Sequence, residues 1–172
     1  KAPDSGGAHT GLGTALAALG RYDEARSSLE AALRLEPGDS EAQRSLGYVL
    51  MQKGLIAEAC EIYRASLEQS PNDVSALNNL AWMLATAEAA GHRDGAQAVG
   101  YARRAVEASG MEHPTLLMTL AAAHAEAGQF AEAVNAAERA LELARASSNS
   151  ALEQSLRVQL EAYRSGRPLR AP

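Results

Sequence analysis

Three prolines set the frame of this chain, because Pro3, Pro37 and Pro71 are separated by two intervals of 34 residues. Leu12 and Leu46, Gly13 and Gly47, Leu16 and Leu50, Gly20 and Gly54, and Ala25 and Ala59 share the same interval. Six aligned positions at one period lie beyond coincidence. A period of this size marks a stacked architecture, in which each unit is one supersecondary element that cannot bury its apolar face alone.

The unit can be read from its residues. Leu12, Leu16 and Leu19 recur at helical spacing, and Gly20 ends that helix where a left-handed residue is wanted. Asp23 is predicted to cap the next helix, which runs from Glu24 to about Leu35 with Ala25, Leu29 and Ala32 on one face. Pro37 stops it, and Asp39 or Ser40 caps the helix that follows. Each unit is therefore two short antiparallel helices. Composition agrees: apolar residues make up 47% of the 172, aromatics only 4%, and much of the apolar share is alanine and leucine, which favour close-packed helices.

This pattern resembles the tetratricopeptide repeat (TPR). The first unit carries Leu12, Gly13, Gly20, Tyr22, Ala25, Leu29, Ala32 and Pro37. The second carries Leu46, Gly47, Leu50, Gly54, Ala59, Tyr63 and Pro71, with Ile56 in place of the turn tyrosine and Ser66 in place of the last alanine. The fourth carries Leu120, Ala121, Gly128, Phe130, Ala133 and Ala140. The resemblance implies an all-α fold, a right-handed superhelical solenoid of antiparallel helix hairpins with about four TPR units and a C-terminal capping helix.

The expected organisation follows. Residues 1–5 are the end of a preceding repeat, 6–39 the first unit, 40–73 the second, 74–112 the third and 113–147 the fourth; 148–165 form the capping helix and 166–172 a tail. The third unit is irregular. Its first helix opens with Leu77, Leu80, Ala81 and Leu84, but the match resumes only at Ala98, Ala102 and Ala105, so an extended first helix and a protruding loop over 86–95 with His92, Arg93 and Asp94 are expected. Pro3 one period before Pro37 suggests the C-terminal part of a longer array. The segment from Asn78 to Ala144 is similar to the C-terminal portion of long bacterial TPR proteins, through Asn79-Leu80-Ala81-Trp82, Arg93-Asp94-Gly95 with Ala98-Val99, and the tail Tyr163-Arg164 with Gly166-Arg167-Pro168.

Several functions are disfavoured. A net charge of −5 with interspersed signs argues against nucleic acid, and no apolar run approaches the roughly 18 residues that would span a bilayer. One cysteine, Cys60, allows no intrachain disulfide and assigns no compartment. Gly11-Leu12-Gly13 lacks the strand and third glycine of a dinucleotide loop, and the four histidines His9, His92, His113 and His124 share no ligand spacing. Neither catalytic residues, a cofactor nor a metal site is expected.

The resemblance places the first helix of each repeat along a concave groove. The predicted partner-binding residues are Arg44, Tyr48, Met51 and Gln52 from the second unit, Asn78, Asn79, Trp82 and Thr86 from the third, and Met118 and Thr119 from the fourth. Arg44, Tyr48, Asn78, Asn79 and Trp82 combine aromatic anchors, an arginine and amides, a hot-spot composition. Thr10, Thr14 and Ser45 stand where chaperone-tail binders of the family carry their lysine and asparagine clamp, and only Asn79 fits the asparagine ladder of sugar-transferase superhelices. The expected function is a non-catalytic scaffold for a peptide or partner protein. The alternatives are a substrate-recruitment or regulatory arm of a larger enzyme such as a glycosyltransferase, and a self-assembly element that associates through its exposed N-terminal end.

Overall fold

A computed structural model describes residues 5–170. Residues 1–4, with Pro3 and most of the predicted end of a preceding hairpin, lie outside the described residues. Nine α-helices and one 3₁₀ turn are present among them, with no strand. The chain divides into two compact units, 1–71 and 72–172.

The first unit holds α1 (Gly6–Ala18), α2 (Tyr22–Leu35), α3 (Ser40–Gln52) and α4 (Ile56–Gln69). The second holds α5 (Val74–Thr86), the 3₁₀ turn Ala90–His92, α6 (Gly95–Ser109), α7 (Pro114–Glu126), α8 (Phe130–Ala146) and α9 (Ser150–Arg164). In each hairpin the second helix buries the same stripe: Ala25, Leu29 and Ala32 in α2, Ala59, Tyr63 and Ser66 in α4, Ala98, Ala102 and Ala105 in α6, and Ala133, Ala137 and Ala140 in α8.

Two kinds of junction recur, and each satisfies the orphan groups of helix ends in its own way. Between hairpins, before α3 and α5, an aspartate caps. The Asp39 carboxylate accepts from the amides of Glu41 at 2.9 Å and Ala42 at 3.0 Å, and Asp73 repeats this on Ser75 and Ala76. Within hairpins the backbone serves itself. A glycine at φ near +75° (Gly20, Gly54, Gly128) turns the chain, and the next amide bonds back across the turn, Arg21 to Leu16 at 2.9 Å, Leu55 to Leu50 at 2.9 Å and Gln129 to His124 at 2.8 Å. This self-sufficient turn corrects the expectation for Asp23, which lies in the first turn of α2 and pairs with Lys53.

The third hairpin shows what happens without that glycine. Glu88 stands one period after Gly54, so the tight turn does not form. Leu84, one period after Leu50, still receives its bond, but from the amide of Asp94 at 2.9 Å, ten residues on where the other turns use five. The extra residues make a connection over 87–94 and leave α5 at 13 residues, the same as α3; the first helix is not extended as expected. Nor does Arg93 protrude. Its Nη1 donates to the carbonyls of Ala87 at 2.8 Å and Glu88 at 2.6 Å, which folds the connection onto itself.

α9 buries Leu156, Gln159, Leu160 and Tyr163. Val158, on the same helix, faces solvent. In α1 Leu16 is buried, whereas Leu12 is 53% and the C-cap Leu19 72% exposed.

Candidate functional site

In the first unit the candidate residues lie on α3. Arg44, Tyr48, Met51 and Gln52 follow at helical spacing and share one face. Arg44 and Met51 are partly exposed, Gln52 is exposed, and Tyr48 keeps 39% of its surface in solvent. The face is ordered from beneath and beside. The Arg44 carbonyl accepts from the Tyr63 hydroxyl at 3.4 Å, and the hydroxyls of Ser45 and Thr14 join α3 to α1 at 3.2 Å. Burial, and then the neighbouring Tyr22 with which it shares a hydrogen bond, push the Tyr48 phenol above its ordinary value. Tyr22 was not among the residues predicted for the site, since only the fold brings the turn of the first hairpin beside α3.

At the start of α3 the Thr10 hydroxyl donates to Asp39 at 2.6 Å. Burial alone would raise this carboxyl. The bonds from Thr10 and from the Ala42 and Glu41 amides hold it below the usual carboxylate range.

In the second unit Asn78, Asn79 and Trp82 lie on one face of α5, all partly exposed. The Asn78 Oδ1 is shut from solvent and accepts no hydrogen bond. Thr86 is buried, and its hydroxyl donates to the Trp82 carbonyl at 2.8 Å. Thr119 on α7 is buried in the same way, donating to Thr115 at 3.2 Å. Both threonines return their polar groups to their own helices. Met118 packs partly buried against the cluster of Leu117, Ala140, Leu141, Ala144 and Leu156. The surface offered by this unit is thus Asn79 and Trp82, with Asn78 at its edge.

The remaining candidates for chemistry are accounted for by packing. His124 is buried and its Nδ1 meets the Gln129 side chain at 2.6 Å; the His113 Nδ1 accepts from the Thr115 amide at 3.3 Å at the head of α7. Cys60 is buried, and burial pushes its thiol up. No group of metal-binding side chains occurs among the described residues, and none of their helices is long and apolar enough to cross a membrane.

Models of the tetratricopeptide repeat match residues 10–74 and 114–147. The chain belongs to the tetratricopeptide repeat family. The stretch between the two matches holds most of the α5–α6 hairpin, whose connection over 87–94 is longer than the other turns. No curated protein matches the chain. Among solved structures, MamA residues 41 to the end from Desulfovibrio magneticus RS-1 is 17% identical, with a TM-score of 0.72 over 96% of this chain and 91% of that one. Pseudomonas aeruginosa pilF is 21% identical, with a TM-score of 0.70 over 94% and 71%. A thermophilic TPR protein of Thermus thermophilus is 20% identical, with a TM-score of 0.66 over 94% and 98%. At such identities the likeness establishes the fold, an all-α TPR solenoid. TPR domains generally mediate protein–protein interaction and are typically non-catalytic.

Proposed function

We propose that this chain is a non-catalytic interaction scaffold that takes a peptide or a segment of a partner protein on the first-helix faces of its hairpins. The observation that carries this reading is the pairing of an aromatic with a directional polar neighbour on each of two such faces, the exposed Tyr48 with Arg44 on α3 and the partly exposed Trp82 with Asn79 on α5. Arg44 suits a carboxylate, Asn79 a peptide backbone, and the rings an apolar side chain. Truncating large rings at such positions is expected to cost more than about 1 kcal/mol of binding each. The test is capture by the parent, by Trp82→Ala and by Arg44→Ala, with helicity followed by circular dichroism. A partner lost in the variants at unchanged helicity supports the reading; equal capture by all three sinks it.

A second reading is self-association through α1, favoured by the exposure of Leu12 and Leu19. Sedimentation over a range of concentrations tests it: association that Leu12→Ser with Leu19→Ser removes supports this reading, and a monomer throughout excludes it.

A further inference from the structure

The connection over 87–94 and the C-terminal tail, remote in sequence, end on one carboxylate. Glu126 closes α7. Arg93 Nε donates to its Oε1 at 2.9 Å, and Arg170 Nη1 to its Oε2 at 2.7 Å. A carboxylate at a helix C-terminus opposes the helix dipole. With only 14% of its side chain exposed it is poorly hydrated, so it depends on these cations. Each guanidinium takes a separate oxygen, and the two do not compete for an acceptor.

The approach of both partners is built into the backbone. A Cβ on Gly95 would sit 2.5 Å from the Ala127 nitrogen and 2.7 Å from the Glu126 carbonyl carbon; the missing side chain lets the end of the connection reach α7. At the other side Gly166, at φ +69°, turns the chain out of α9, and the Arg167 amide bonds to the Ala162 carbonyl at 3.0 Å. Leu169 then seats against the cluster of Ala121, Ala125, Ala133, Ala137, Leu160 and Tyr163, which delivers Arg170 to Glu126.

We propose that the strap 166–170 is a latch for the 87–94 connection, acting through Glu126. Seating Leu169 and Arg170 closes water away from the Arg93–Glu126 pair, of which only 15% and 14% of the side chains remain exposed, and an ion pair strengthens as its surroundings dry. Coupling of this kind is reciprocal: whatever draws the strap away loosens the connection, and whatever engages Arg93 or the Ala87 and Glu88 carbonyls loosens the strap. The strap and the connection would then form a switch apart from Arg44, Tyr48, Asn79 and Trp82.

Hydrogen exchange of the full chain, read at the 87–94 amides, tests the latch. Deleting residues 167–172 is expected to speed exchange there at least about fivefold. Leu169→Ala and Arg170→Ala should each reproduce part of that effect at unchanged helicity, and Glu126→Gln should speed both the connection and the strap. Arg139→Ala, which breaks an exposed ion pair to Glu112 elsewhere in the same unit, should leave the connection at the parent rate. Parent-rate exchange at 87–94 after the deletion would overturn the proposal. An effect of the deletion that neither Leu169→Ala nor Arg170→Ala reproduces would overturn the route through Glu126.

Discussion

The ring of Tyr63 lies so close to the α3 backbone that a Cβ on Gly47 would come within 2.7 Å of its Cζ. Gly13 and Leu29 stand in the same relation one period earlier, at 2.5 Å from the Leu29 Cγ. In the second unit the equivalent positions are alanine on both sides, Ala81 with Ala102 and Ala121 with Ala137, all buried. The hairpins fill one crossing in two ways, glycine against a large side chain or alanine against alanine.

Gly47→Ala should therefore destabilise the chain by about 1–3 kcal/mol, against the gain of up to about 1 kcal/mol that alanine offers in a helix. Tyr63→Ala removes the collision, so the double variant should be more stable than the sum of the two losses implies. Urea unfolding of the four proteins measures this. An additive cycle would show that the crossing is not the cause.

Ser66 occupies the stripe position held by Ala32, Ala105 and Ala140, fully buried and with no partner for its hydroxyl. An unsatisfied buried hydroxyl costs about 1–3 kcal/mol. Ser66→Ala is expected to raise stability by about 1 kcal/mol, seen as a higher urea midpoint at an unchanged slope.

Cys60 reports opening of α4. Its thiol is buried and pushed up by that burial, so a thiol reagent at neutral pH should label the native chain far more slowly than the unfolded one. As pH rises through the ordinary thiol value of about 8.5, the unfolded chain loses this proton and the folded chain retains it. This contribution to stability falls with rising pH above that point, and Cys60→Ala should flatten the alkaline side of the stability profile.

Asp39 has the opposite sign. Its carboxyl is held below the usual range in the fold, so its contribution is complete above about pH 4 and is lost as pH falls through the depressed value. Asp39→Ala should cost about 1 kcal/mol at neutral pH through the lost cap. Asp39→Asn should keep most of the cap and weaken the acid dependence. Denaturant midpoints at neutral and acid pH distinguish them.

The repeat was legible because its signals are local and periodic. Glycine turns, aspartate caps and the alanine stripe all sit within one unit, and the end of α2 at Leu35 and the late start of α6 follow from them. The shape of the 87–94 connection was not legible, because Arg93 is drawn inward by Glu126, 33 residues away. For the candidate site, spacing along α3 and α5 is enough to place Arg44 with Tyr48 and Asn79 with Trp82. It could not reveal that Thr86 and Thr119 are covered, since burial of a short hydroxyl on a helix depends on neighbouring helices. The Tyr22–Tyr48 bond was hidden for a similar reason, because it joins separate hairpins.

The Leu84 carbonyl accepts a donor ten residues away as readily as its counterparts accept one at five. Between the anchors Leu84 and Asp94, Arg93 ties Ala87 and Glu88 to Glu126, so the unanchored part of the connection is the exposed tip 89–92. That tip is a natural graft point, where a foreign epitope spliced in would leave the Leu84–Asp94 bond and the Arg93 ties in place.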